Sequence, residues 1–432
     1  MRIFLAFWSA LWTLFLPLIL LYLRRRARKD ALYGQHLGER FGRYPAPMTG
    51  AVWVHAVSLG ELRSAVPLVR GLLDMGESVV ITHFTPAGRR ASHAAFGPEI
   101  AQGRVAAVWV PFELNWCFAG FFAAFRPKLG LVMEIEIWPR MVQAARDAGV
   151  ALYMCNAQYP ADSMTRDAKL PLRPAVMRRF AGAFVKSQLQ ADRFASVGLR
   201  RITVTGELRF DQPIPAQQLA ASAALRAGLS AGQVVVFASV TQAEEALFVA
   251  AAQALMAANH RVLVVFVPRA PERFDAVAQL LTQGGLNVQR RSSALDENLR
   301  PRCDLSANVL LGDSLGEMYF YLGLAVSSPL GRVVVGGGFQ PKGSHNITEA
   351  LALGLPVLVG PHIQTIEYPA VEAIAAGVCK QTSSETLVQD ICTWPRPEAS
   401  TIAAFQSAHT GATAKTLAAI APLLQPRITP SQ

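Results

Sequence analysis

Residues 51–57 read Ala-Val-Trp-Val-His-Ala-Val, an unbroken apolar run, and Ser58-Leu59-Gly60-Glu61 follows it into a helical pattern. The alternation repeats outward, with SVVITHF at 78–84, RVAAVWV at 104–110 and KLGLVME at 128–134. Runs that are apolar at every position belong to strands covered on both faces, so they predict a parallel sheet with helices above and below. Near Val204 the chain reads ITVTGELRFDQPIP, and the pattern then begins again with QVVVFAS (233–239), RVLVVFVP (261–268), ANVLLGD (307–313), GRVVVGGG (331–338) and LPVLVGP (355–361). The predicted architecture is α/β, two doubly wound domains facing across a cleft, divided after residue 204. Ligands of such sheets bind beyond the carboxyl ends of the strands, which marks the residues just after each run.

Composition narrows the function. With 52% hydrophobic and only 16% charged residues, the 432-residue chain fills two cores, which excludes a small module and a disordered chain. Lys and Arg number 41 against 30 Asp and Glu, and this +11 balance favours an anionic partner. Nucleic acid is set aside because the arginines are not interleaved with aromatic stacking platforms. Five scattered cysteines without a CxxC predict reduced, mostly buried thiols, and the dispersed histidines predict no metal site.

From Ile3 to Leu23 there are 21 residues without a charge, followed by Arg24, Arg25, Arg26, Arg28 and Lys29. As a helix this run is about 32 Å long, enough for a ~30 Å hydrocarbon core, and it is too long for an ordinary signal peptide. The basic flank predicts a cytoplasmic location for the remainder of the chain. Pro17 leaves open whether the helix crosses or lies in the interface.

Four stretches carry residues suited to chemistry. Glu61, in the first turn of a helix, is expected to be held ionised by the dipole, serving either as a general base or as a cap. Glu134 and Glu136 follow a strand at a spacing that puts both on one side of an extended chain. Gly336-Gly337-Gly338 and the segment from Gly343 to Glu349 offer backbone N–H groups to a phosphate, with Glu349 placed either for ribose hydroxyls or for an Asn-x-x-Glu cap. Arg269, after the strand ending at Pro268, is a candidate anion ligand.

Taken together, these stretches resemble the Kdo transferases, which move 3-deoxy-D-manno-octulosonic acid (Kdo) from CMP-Kdo to the lipid A precursor of Gram-negative lipopolysaccharide. The resemblance runs from the apolar helix and Gly38-Glu39-Arg40-Phe41-Gly42 to Gly360-Pro361-His362. It implies the GT-B fold, with an anchor and basic flank at 1–29, a Rossmann-like acceptor domain at 30–204 and a Rossmann-like donor domain at 205–432. Carried over by position, Glu61 becomes the catalytic base, with Ser58, Gly60, Glu134 and Glu136 on the acceptor side. Ser239, Arg269, Gly316, Glu317, Asn346 and Glu349 fall on the CMP side. No metal or cofactor is implied; the partners are CMP-Kdo, lipid IVA and inner-membrane lipids, and the location is the cytoplasmic face of the inner membrane. Departures from the family pattern occur at Thr241-Gln242, Ala270 and Gln158. They leave room for a divergent paralogue with another donor or acceptor, or for a glycolipid binder without turnover. A nucleotide-sugar epimerase of similar build competes, but a soluble sugar nucleotide requires no membrane address.

Overall fold

The computed structural model describes residues 1–259 and 261–425. Among these, two parallel sheets of seven strands form, each within its own compact unit. In the first unit β1 (Val52–His55), β2 (Val79–His83), β3 (Val105–Trp109), β4 (Leu129–Met133), β5 (Ala151–Ala157), β6 (Gly182–Val185) and β7 (Ile202–Val204) lie in the order β3-β2-β1-β4-β5-β6-β7. The second holds β8 (Gln233–Val240), β9 (Val262–Pro268), β10 (Val288–Arg290), β11 (Val309–Leu311), β12 (Arg332–Val335), β13 (Val357–Val359) and β14 (Cys379–Gln381), ordered β10-β11-β9-β8-β12-β13-β14. The apolar runs read from sequence are strands of the two sheets, all of them interior except the edge strand β3; β1, β2 and β4 are buried at every residue, as strands covered on both faces must be.

The units divide after Gln212 instead of after residue 204, and the first recovers the chain from Thr410 on. Residues 205–212 stay with the first unit because Thr205 N–H donates to the Val185 carbonyl at 2.9 Å and Glu207 pairs with Lys186 at 2.8 Å. The Asp211 carboxylate then accepts from Gly411 N–H at 2.7 Å and Thr413 N–H at 2.5 Å, capping the helix Ala412–Leu424. That helix buries Ala412 and Ile420 in the core beside the helix Leu59–Asp74. A purely linear reading of strands has no means of assigning a returning helix to the earlier domain.

Residues 38–42 are held by an internal ion pair. Arg89 donates to Glu39 through two bonds of 2.7 and 3.0 Å, with both side chains buried, and Glu39 also accepts from Trp109 N–H at 2.7 Å. The guanidinium of Arg40 lies 4.4 Å from the centre of the Trp109 ring. Gly42 has φ +74°, and a methyl group there would stand 2.3 Å from the Cys117 carbonyl oxygen in the helix Asn115–Phe125. The N-terminal helix Arg2–Ala27 packs beside this corner and contains Pro17 without ending at it. Cys117, Cys155 and Cys379 are buried, while Cys303 and Cys392 are exposed.

Replacing Gly42 with Ala combines a left-handed backbone with a collision against main chain that cannot move aside. We expect a loss of about 2–4 kcal/mol in the first unit, read as a lowered thermal unfolding midpoint in detergent. An unchanged midpoint refutes the close approach.

Candidate active site

In the first unit β1 pairs with β4 in parallel, His55 opposite Val132, so the segments following both strands emerge side by side. Ser58 caps the helix Leu59–Asp74: its hydroxyl accepts from Glu61 N–H at 3.3 Å and donates to a Glu61 carboxylate oxygen at 3.0 Å. The other oxygen accepts from Val57 N–H at 2.8 Å. Glu61 is therefore a cap, as one sequence reading has it, and Gly60 beside it is exposed.

Its charge state departs from expectation. Burial, followed by the nearby Glu136 carboxylate, pushes the Glu61 carboxyl up to about 8, with Glu134 adding to the rise; the bonds from Val57 and Ser58 oppose it only in part. The helix dipole and a cap are thus outweighed by desolvation and like charge. A carboxyl in this range is a stronger base than an ordinary one and titrates near working pH.

The chain after β4 is not extended. Glu134 sits in a turn at φ +58°, so the two-residue spacing does not align Glu134 with Glu136, and the two carboxylates meet different neighbours. Glu134 accepts from Arg209 at 2.8 Å and from Gln158 at 3.3 Å, with the Lys186 ammonium 3.6 Å away. Glu136 accepts from the Trp138 indole at 2.7 Å, and burial together with Glu134 raises its carboxyl. His55 packs edge to face on Trp138 at 5.2 Å, and its Nδ1 lies 2.8 Å from the Thr82 hydroxyl. Burial pushes its imidazole down to about 3, so it is neutral.

Beneath these residues lies a network that sequence reasoning missed. Lys186, 2% exposed, donates to Glu207 at 2.8 Å and to the Gln158 side-chain oxygen Oε1 at 3.3 Å. Asn156 donates to the other Glu207 oxygen at 2.8 Å. Burial alone would raise Glu207, but Lys186 and Arg209 overcome it and hold the carboxyl below its usual range. The available signal was a lysine directly after the apolar strand β6, where a charge without a partner is costly. At position 158 a glutamine bridges lysine and carboxylate with its two ends, the side-chain oxygen accepting from Lys186 and the side-chain nitrogen donating to Glu134.

In the second unit β9, β8 and β12 are neighbours, and Ser239, Arg269 and the glycine loop stand at their carboxyl ends. Ser239 adopts φ +57° where the β8–β9 register shifts between Phe237 and Val240. Arg269 N–H donates to the Val240 carbonyl at 2.8 Å, leaving an exposed guanidinium. Gly316 is exposed at φ +82°, and its carbonyl accepts from Gln218 at 2.9 Å. Glu317 is gripped by Arg291 through two bonds of 2.6 Å and also accepts from the Ser314 hydroxyl, so it anchors the start of the helix Met318–Val326. Asn346 is exposed and its side-chain oxygen accepts from Thr348 N–H at 3.0 Å. Glu349 is half-buried in the helix Thr348–Ala352; its charge adds to burial in raising the Tyr319 phenol to about 12.

The glycine loop differs from its sequence reading. The carboxylate of Glu244, fully buried, accepts from Gly337 N–H at 2.8 and 2.6 Å and from Phe339 N–H at 3.0 Å. These amides are satisfied internally, so the loop is braced by an acid of the protein, and they are not free for a phosphate. Glu244 also caps its own turn by accepting from the Thr241 hydroxyl at 2.7 Å, which gives the departure at Thr241 a structural use. His345 beside the loop is half-buried, and burial and then Arg269 lower its imidazole. Among the described residues, no three His, Cys, Asp or Glu side chains gather as a metal site would require.

The family model described as 3-Deoxy-D-manno-octulosonic-acid transferase (kdotransferase) matches residues 35–212. A 3-deoxy-D-manno-octulosonic acid transferase of Bordetella pertussis is 38% identical over 422 residues, covering 94% of this chain and 96% of that protein. Another of that name from Haemophilus influenzae is 29% identical, covering 84% and 83%. A UDP-GlcNAc 2-epimerase from Neisseria meningitidis superposes with a TM-score of 0.54 at 13% identity, over 88% of this chain and 100% of that one. That likeness is one of fold, and with the two parallel sheets it makes the architecture GT-B. Nearly full-length identity to the transferases separates the chain from the epimerases that share its fold: it belongs to the 3-deoxy-D-manno-octulosonic acid transferase family.

Proposed function

We propose that the protein is an inverting glycosyltransferase that moves Kdo from CMP-Kdo to the lipid A precursor lipid IVA at the cytoplasmic face of the inner membrane. The observation that carries the catalytic assignment is the Glu61 carboxyl, raised to about 8 at the carboxyl end of β1 with Glu136 beside it. As a glucosamine hydroxyl oxygen of the acceptor attacks the anomeric carbon of Kdo, Glu61 takes the hydroxyl proton. The new carbon–oxygen bond forms as the bond from that carbon to the CMP phosphate oxygen breaks, CMP leaves with the electron pair, and the configuration inverts. Ser58 and Val57 N–H fix the Glu61 rotamer, so the basic oxygen is oriented before the acceptor arrives. In the second unit Arg269 is the exposed cation at the strand ends and is assigned to the leaving phosphate, with Asn346 beside the same glycine loop. Ser239 and Gly316, both in left-handed backbone, shape that side, while Glu317, gripped by Arg291, anchors the helix Met318–Val326 and Glu349 lies half-buried in the helix Thr348–Ala352.

Mass spectrometry of lipid IVA incubated with CMP-Kdo and the detergent-purified protein is expected to show added Kdo, and the mass counts the residues transferred. Glu61→Gln should lower kcat by about a hundredfold to ten-thousandfold with CMP binding retained. No added mass from folded protein points instead to another donor, another acceptor or a glycolipid binder, and full activity in the variant removes Glu61 as base.

The pH profile separates the base from its surroundings. Glu61 acts deprotonated, so kcat/KM rises with pH and levels off above about 8. Glu136→Gln keeps an acceptor for the Trp138 indole but deletes a charge that raises Glu61, so the rising limb moves to lower pH. Initial rates across the range check this; a limb that stays in place contradicts the coupling.

A further inference from the structure

The N-terminal helix has two apolar faces with different fates. One face, Leu5, Trp8, Trp12, Leu16, Leu20 and Leu23, recurs every three or four residues; Trp12, Leu16, Leu20 and Leu23 lie in one cluster with Phe112, Leu114 and Cys117 of the first unit. Leu5 and Leu23, its two ends, are 4% and 3% exposed. The opposite face presents Ile3, Phe7, Leu14, Leu18 and Leu21 to the outside, with Ile3 88% and Leu14 72% exposed.

Polar bonds fasten the docked face near the chain start. The Trp8 indole donates to Glu113 at 2.8 Å, and Arg140 donates to the Leu5 carbonyl at 2.6 Å and to the Ser9 hydroxyl. Glu113 is itself locked, 2% exposed, by N–H bonds from Arg140 at 3.1 Å and Met141 at 2.9 Å. At the far end Arg26 donates to the Tyr33 hydroxyl at 2.9 Å, and Asp30 pairs with Arg90 at 2.7 Å. Leu5 to Leu23 is about 27 Å of helix, close to a full hydrocarbon thickness, and the unit touches it at both ends. Standing the helix across a bilayer with these contacts kept would carry Glu113 and Arg140 through hydrocarbon, where charged groups are strongly disfavoured.

We infer that this helix lies lengthwise along the first unit and enters one leaflet only, so the protein is monotopic and Met1 remains on the same side of the membrane as both units. The occupant of the outer face is the acyl layer of an anionic bilayer. Its apolar stripe sinks about 5–10 Å, and the exposed Arg24, Arg25, Arg26 and Arg28 meet the acidic headgroups. Trp116, 54% exposed and stacked on Phe41 beside the seam, is suited to the headgroup boundary. This placement is independent of which sugar is transferred. Among the described residues no second helix is long and apolar enough to return the chain across a bilayer, so the side of Met1 decides the topology.

The test uses the full-length protein in bacterial inner membranes with a protease-cleavable epitope at Met1, comparing spheroplasts with inverted vesicles. The exposed thiols Cys303 and Cys392, labelled by an impermeant maleimide, report the side of the second unit, and the first shares it because among the described residues no helix able to span a bilayer lies between them. The expected result is cleavage of the epitope only in the preparation where these thiols label, together with retention on the membrane in alkaline carbonate. Leu14→Asp with Leu18→Asp should lower the retained fraction by about tenfold. Cleavage on the side opposite the thiols, or release of the unmodified protein by carbonate, overturns the inference, as does any other cleavage pattern.

Discussion

A buried ammonium must find a carboxylate, and in this protein the Lys186 ammonium decides the layout of the first unit's strand ends. Its bond to Glu207 keeps residues 205–212 with that unit, and its proximity to Glu134 holds the turn after β4 in place. Asn156, Gln158 and Arg209 complete the hydrogen bonding that such a pair requires in a low-dielectric interior. Asp211, at the end of the same segment, then receives the C-terminal helix. One charge requirement therefore reaches from the sheet edge to the chain's last described helix.

That network also sorts the acidic residues above it. Glu134 faces two cations, whereas Glu136 and Glu61 face each other and apolar surroundings. Three carboxyl groups on two neighbouring strand ends thus acquire different characters from their partners: Glu134 is paired with cations, while burial and like charge push Glu61 up to about 8. His55, neutral and wedged against Trp138, contributes shape instead of charge.

The second unit solves a different problem. A run of three glycines lets main chain pass close to Val240 and Gly360, and the resulting loop is stabilised by a buried acid that takes its amides. With the Gly337 and Phe339 N–H groups already bonded to that acid, the loop is a braced platform, and the Arg269 side chain stands exposed at the end of the neighbouring strand β9.

Much of the fold was legible in the sequence because strands covered on both faces carry their burial in uninterrupted apolar runs, and the same runs located Glu61, Glu136, Ser239 and Arg269 at strand ends. The glycines and caps were equally local, as was the length of the apolar helix. What sequence did not hold was pairing between distant side chains: Lys186 with Glu207, Glu244 with the loop 95 residues beyond it, Trp8 with Glu113. A residue's type and neighbours in sequence set its intrinsic acidity and its secondary structure. Its acidity in the folded protein depends on desolvation and on charges brought close by the strand order, and the sheet alone supplies those. For that reason the sequence placed Glu61 in a helix's first turn and expected it ionised, while the tertiary structure, by burying it and setting Glu136 nearby, pushed its carboxyl up to about 8.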